Sequence, residues 1–239
     1  MKNILLLACA LVAVNVTSRA FGEESTVDIS WGAFAVDDYY MIGYYDESES
    51  SYVPYVGGSL LLVGYFDDSF NIEENKDDFS AVYNAFINNV FIDSATGDSA
   101  SAVIGNYAGL PGYAGDTTVI DVASTSSPDY GKTVYYLVLE GVTSYDEITM
   151  LDVTAYAILS NSSWLTVPVG TELGNPLNLR ADSLDVIYGG TPTTYTDSSE
   201  VVHNLYTTVA VPEPGYYAAL MGLVTLLGVR LFRGRRRKS

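Results

Sequence analysis

The chain has 239 residues and carries 29 Asp and Glu against 11 Lys and Arg, a formal net charge of −18, with one Cys, one His and 20 Tyr. One Cys cannot pair within its own chain, and one Cys with one His cannot build a zinc cluster, so a disulfide framework and a His/Cys metal centre are excluded. The negative surface repels phosphates and argues against nucleic acid as a partner, while a hydrophobic content of 48% is too high for a disordered chain.

The charge is segmented. Residues 1–20 carry +2, residues 21–210 hold 28 acids against only Lys76, Lys132 and Arg180 for −25, and residues 211–239 carry +5. Such asymmetry marks an acidic body between two short segments that address a membrane. The first, residues 1–20, reads as a secretory signal peptide. Lys2 supplies the positive start, Ile4–Val14 is an apolar run of 11 residues, and Ser18-Arg19-Ala20 places small residues around a cleavage site. Cleavage is expected after Ala20, with Gly22 as second choice. As an uncleaved anchor those 11 residues would span about 16 Å of helix, against roughly 30 Å of hydrocarbon. Cys9 follows Leu6-Leu7-Ala8, similar to a lipoprotein lipobox, yet the apolar run continues past it. The plainer reading makes Cys9 one more apolar residue of the signal core, so that the mature chain carries no Cys.

The body, residues 21–208, is long enough for one sandwich-sized domain. Runs rich in Val, Ile, Thr and Tyr predict strands over Val27–Val36, Ser59–Phe66, Thr117–Val122, Thr133–Leu139, Met150–Leu159, Leu184–Tyr188 and Val201–Val209. Gly57-Gly58, Leu110-Pro111-Gly112, Ser127-Pro128-Asp129 and Gly189-Gly190 punctuate them. The expected fold is mainly β, an antiparallel β-sandwich or jelly-roll-like domain. One helix is expected at about 77–90. There Phe79, Val82, Tyr83, Phe86, Ile87, Val90 and Phe91 recur at helical spacing, with Asp77 or Asp78 as cap, and the stripe packs across the sheet as core.

Chemistry is sparse in the body. His203 is the only imidazole, placed beside the predicted last strand and read as a surface residue; no nucleophile elbow or phosphate-binding glycine loop accompanies it. Acids cluster at Asp46-Glu47 with Glu49, at Asp67-Asp68, Glu73-Glu74 and Asp77-Asp78. These read as solvated loops. A calcium site is a secondary expectation without EF-hand spacing to support it, and no other cofactor is implied. A carboxylate-dependent hydrolase, which needs two acids across a cleft, ranks last. Residues 37–55 hold Tyr39, Tyr40, Tyr44, Tyr45, Tyr52 and Tyr55. Tyr39, Tyr40, Tyr44 and Tyr45 are candidate glycan-binding aromatics, against the alternative that they pair across strands of a half-buried sheet.

The final segment has three parts in fixed order. Pro212-Glu213-Pro214 fixes an extended display that cannot join a helix interior. Gly215–Val229 is an apolar stretch of 15 residues, about 22 Å of helix and short for a lasting span. Arg230, Arg233, Arg235, Arg236, Arg237 and Lys238 then form a basic tail that the positive-inside rule holds in the cytoplasm. The alternative is an ordinary single-pass anchor with incidental prolines.

Residues Val211–Ser239 resemble the PEP-CTERM sorting signal of exported bacterial proteins. The resemblance implies that exosortase, a membrane-embedded enzyme similar to Cys transpeptidases, recognises Pro212-Glu213-Pro214 and removes the tail. It also implies release to the cell surface or exopolysaccharide matrix. The body is weakly similar to other PEP-CTERM proteins through a Gly-rich strand, a helix like 77–88 and an aromatic-capped strand like Tyr156–Trp164, a likeness that implies no particular activity. The resulting expectation is a non-enzymatic surface or matrix protein whose partners are the translocon, signal peptidase, exosortase, transiently the inner membrane, and exopolysaccharide. A polysaccharide- or calcium-binding module is the alternative.

Overall fold

The computed structural model describes residues 26–32, 40–107, 110–121, 128–129, 131–165, 177–178 and 184–211. The expected signal segment, the sorting segment from Pro212 onward and Tyr39 lie outside the described residues. The chain divides into two units, Met1–Val209 and Ala210–Ser239.

The first unit is mainly β. Its central sheet is built on two apolar runs, β4 (Ser59–Tyr65) and β9 (Thr133–Glu140), beside β10 (Ala155–Leu165). All seven residues of β4 are buried, as expected of a strand covered on both faces. Strands β5 (Ser101–Val103) and β12 (Asp185–Tyr188) flank them in the order β12-β10-β9-β4-β5, paired antiparallel.

Register separates the two faces. Leu61, Val63 and Tyr65 align with Val138, Tyr136 and Val134, and across β9 with Ala157 and Leu159. This face meets residues of two further sheets in the main core. One sheet runs β11-β1-β8, with β1 at Thr26–Gly32, β8 at Gly115–Asp121 and β11 at Leu177–Asn178. It contributes Ile29, Trp31 and Ile120. The Trp31 indole donates to Thr118 Oγ1 at 2.9 Å, so the ring is buried without stranding its N–H. The other sheet runs β13-β14-β2-β3, comprising β2 (Tyr40–Asp46), β3 (Ser51–Pro54), β13 (Thr193–Thr196) and β14 (Val202–Thr207). It contributes Tyr40, Ile42 and Tyr206. Strands β6 (Gly105–Tyr107) and β7 (Leu110–Tyr113) pair with each other as a small antiparallel ribbon.

The expectation of antiparallel pairing needs correction at two places. Strand β1 pairs β11, and β2 pairs β14, in parallel. Both pairs join segments far apart in sequence, where a crossover replaces the hairpin that antiparallel neighbours use.

The opposite face of the central sheet, the row Leu60, Leu139 and Tyr156, carries the helices α1 (Ile72–Asn75) and α2 (Phe79–Phe86). Phe79 packs on Tyr156 with ring centroids 4.8 Å apart, and the Tyr156 hydroxyl donates to the Lys76 carbonyl. Asp78 rather than Asp77 caps α2, its Oδ1 accepting from the Ala81 N–H at 3.2 Å. The helix also stops sooner than its apolar spacing suggests. Ile87–Asn89 tightens into a 3-10 turn, and Val90 bridges to Gly64 while the Phe91 N–H donates to the Val63 carbonyl. Phe91 therefore enters the main core instead of the helical stripe. Gly64 makes the passage possible: a Cβ there would lie 2.4 Å from the Asn89 carbonyl oxygen. One strand boundary shifts as well. Met150–Thr154 precedes β10 instead of opening it, with the Thr149 hydroxyl bonded to Asp152; residues 33–36 of the first expected strand lie outside the described residues.

Candidate functional site

The tyrosine-rich stretch folds as the β2–β3 hairpin. Its turn, Glu47–Ser50, is set by Asp46, whose Oδ1 accepts from the Ser48 N–H at 2.8 Å and the Ser48 hydroxyl at 2.6 Å. Those bonds, the hydroxyl's foremost, hold the Asp46 carboxyl below the ordinary carboxylate range. Ser50 closes the turn at φ 52°, in the left-handed region.

Strand alternation then sorts the tyrosines. Tyr40 is fully buried and meets the Tyr206 ring edge-on at 5.8 Å. Tyr44 faces the same way and stacks on buried Tyr55 at 5.1 Å. Tyr45 points to the other face, directly across from Tyr52, with centroids 4.9 Å apart and planes at 64°. These two rings are 48% and 42% exposed. Of the four aromatics expected to meet a glycan, Tyr40 is therefore core, Tyr44 is half-buried and Tyr39 lies outside the described residues. Tyr45 stands at the surface, and its partner there is Tyr52, which was not one of the four. Tyr45 and Tyr52 form a cross-strand pair of the kind the alternative expectation describes, while Tyr44 stands opposite Val53 and stacks on Tyr55 beyond the end of β3.

A second cluster lies where β9 ends. Glu140 sits opposite Ser59 on β4 and Ala155 on β10. The Tyr55 hydroxyl donates to Glu140 Oε2 at 2.6 Å and shares a hydrogen bond with Thr208 Oγ1 at 2.7 Å; Thr208 Oγ1 also lies 3.3 Å from Glu140 Oε2. Burial first, and the bond to the carboxylate second, push the Tyr55 phenol well above its usual value. It therefore remains a proton donor and ties Glu140, Thr208 and the hairpin base together.

His203 is buried, 2% exposed, which corrects its reading as a surface residue. It lies opposite Tyr195 in the β13–β14 hairpin, with Nε2 at 3.1 Å from Asp197 Oδ2. Asp197 Oδ1 accepts from the N–H groups of Ser199 and Val201. The His203 bond, then the backbone donors, lower the Asp197 pKa. The pair pins a tight turn.

Other acids take local structural tasks. Asp93 accepts from the N–H groups of Ala95, Thr96 and Val119, fastening the loop after Phe91 to β8, and these bonds lower its pKa. Asp68 meets Lys132 at 2.8 Å, and Glu73 meets Lys76 at 2.6 Å. Among the described residues no group of three or more His, Cys, Asp or Glu is placed to hold a metal ion. No family model, curated protein or solved structure matches the chain.

Proposed function

We propose that the chain is an exported, non-enzymatic protein of the cell surface or extracellular matrix. Its signal peptide delivers it through the translocon, and exosortase processes it at Pro212-Glu213-Pro214. The observation that carries this reading is the order of the last 29 residues: the Pro-Glu-Pro triplet, a short apolar stretch over 215–229, and a tail with six basic residues. The charge supports it, since the acidic body and the basic tail suit opposite sides of a membrane. The body is a sandwich-like β domain with helices α1 and α2 on one face of its central sheet. The mass of the mature protein tests the proposal. In a strain with exosortase the chain is expected to end near Pro214, and in an exosortase deletion it is expected to keep its tail at the inner membrane. A full-length tail in both strains overturns the sorting reading.

A glycan-binding role for the body is a second reading, favoured by the exposed Tyr45–Tyr52 pair. It does not depend on how the tail is processed.

A further inference from the structure

We propose that Tyr45 and Tyr52 form the binding corner for a soluble, uncharged polysaccharide chain built of pyranose units. The inference rests on the glycan-binding reading and supplies its ligand class and residues.

Exposure makes the first argument. Tyr45 and Tyr52 are the two exposed tyrosines among the residues whose burial is described, and they touch each other. Their neighbours on the hairpin spend their rings inside: Tyr40 on Tyr206, and Tyr44 on Tyr55. Aromatic area left at a surface invites a flat, partly apolar ligand. The C–H face of a pyranose is such a ligand, and its hydroxyl rim seeks acceptors. The turn between the two tyrosines carries exposed Glu47 and Glu49, and each ring ends in a phenol.

Ring geometry narrows the polymer. Coplanar aromatics make a platform that fits the flat face of a crystalline polysaccharide. Planes at 64° make a step instead, which suits successive sugars turned relative to one another, as in a dissolved, twisting chain. Position in the fold keeps the step rigid. Gly43 lets β2 and β3 approach so closely that a Cβ there would lie 2.1 Å from the Val53 carbonyl oxygen, and the Asp46–Ser48 bonds fix the turn.

Charge narrows it further. Residues 21–210 carry −25, and the site itself is rimmed by acids. Polymers bearing uronate or sulfate are repelled over about a Debye length, ~10 Å at 0.1 M salt. Uncharged chains are not.

Native affinity electrophoresis of the purified full chain in mild detergent tests this, with laminarin, galactomannan or alginate as the probe, and co-sedimentation with crystalline cellulose beside it. Retardation is expected with laminarin or galactomannan. It should weaken about tenfold in Tyr45→Ala and in Tyr52→Ala, the change that ~1.4 kcal/mol produces. Tyr45→Phe and Tyr52→Phe keep the rings and should keep most of the binding, which separates ring stacking from a folding defect. Three outcomes overturn the proposal: no retardation by either neutral polymer, retardation indifferent to both alanine replacements, or alginate or cellulose binding as strongly as the neutral chains. Failure of tail processing leaves all of these readouts unchanged, so the two proposals stand or fall separately.

Discussion

Replacing Tyr55 by Phe removes one oxygen atom and leaves the ring that stacks on Tyr44. No cavity opens, so the cost isolates the hydrogen bonds. The phenol donates to the Glu140 carboxylate at 2.6 Å, and a hydrogen bond to a charged group contributes about 1.5–3 kcal/mol. The second bond, to Thr208 at 2.7 Å, is partly recovered, because Thr208 keeps Glu140 Oε2 at 3.3 Å. Half-buried Glu140 admits some water in place of the lost donor, which trims the total. The expected loss is about 2–3 kcal/mol, or roughly 5–10 °C in Tm for a domain of this size. Urea unfolding followed by the emission of Trp31 and Trp164 measures it, since both indoles are buried and report on opening of the main core. The slope with urea should stay constant while the midpoint falls. Thr208→Val completes a double-mutant cycle, with a positive coupling expected between the two hydroxyls. A Tyr55→Phe protein within about 0.5 kcal/mol of the parent would refute the claim that this cluster ties the hairpin base to the central sheet.

Gly64→Ala should cost about 3 kcal/mol in the same urea measurement, because the new Cβ would meet backbone atoms, the Asn89 oxygen at 2.4 Å and Val90 Cα at 2.9 Å, that cannot swing aside. Asp78→Ala should cost about 1 kcal/mol through loss of the α2 cap, while Asp77→Ala changes little; equal effects would contradict the cap assignment. Asp93 and Asp197 both have depressed pKa values in the folded state, so the stability they contribute is complete above the ordinary carboxylate value of about 3.9 and is lost as pH falls through their folded values. A pH series of urea midpoints should therefore drop below about pH 4, and drop less steeply in Asp93→Asn with Asp197→Asn; equal slopes would count against the bonds described.

Where an element was legible in the sequence, burial explains why. Ser59–Tyr65 and Thr133–Glu140 are covered on both faces, so their apolar runs needed no periodicity to stand out. Short exposed strands gave no such signal. Thr193–Thr196 alternates half-buried with exposed residues and reads as a polar loop until β14 is beside it. The end of α2 was misplaced because Val90 and Phe91 satisfy helical spacing by coincidence; what stops the helix is a tertiary partner, Val63. The tyrosines show the same limit. Composition marked residues 37–55, but which rings face water depends on one residue of register, and a shift by one would have exchanged Tyr44 with Tyr45. Tyr55, Glu140 and Thr208 are separated by 85 and 68 residues and become a cluster only through sheet order. The Asp197–His203 pair is the exception. Six residues apart across Ser198-Ser199-Glu200, it carried a local turn signal that could have moved His203 off the surface.

The acidity of the body looks at first like a demand for cations, yet several of the described carboxylates are answered by backbone. Asp46, Asp78, Asp93 and Asp197 each accept main-chain N–H groups at a turn, cap or loop base. Lys76 and Lys132 both sit in ion pairs and offer little charge to anything else. An N–H donor fixes a carboxylate without neutralising it. The fold thus uses these acids as local fasteners while leaving their field outside, where like charge repels anionic polymers. Tyr45 and Tyr52 leave uncharged aromatic area at the surface of this acidic domain, and the proposed glycan contact rests on it.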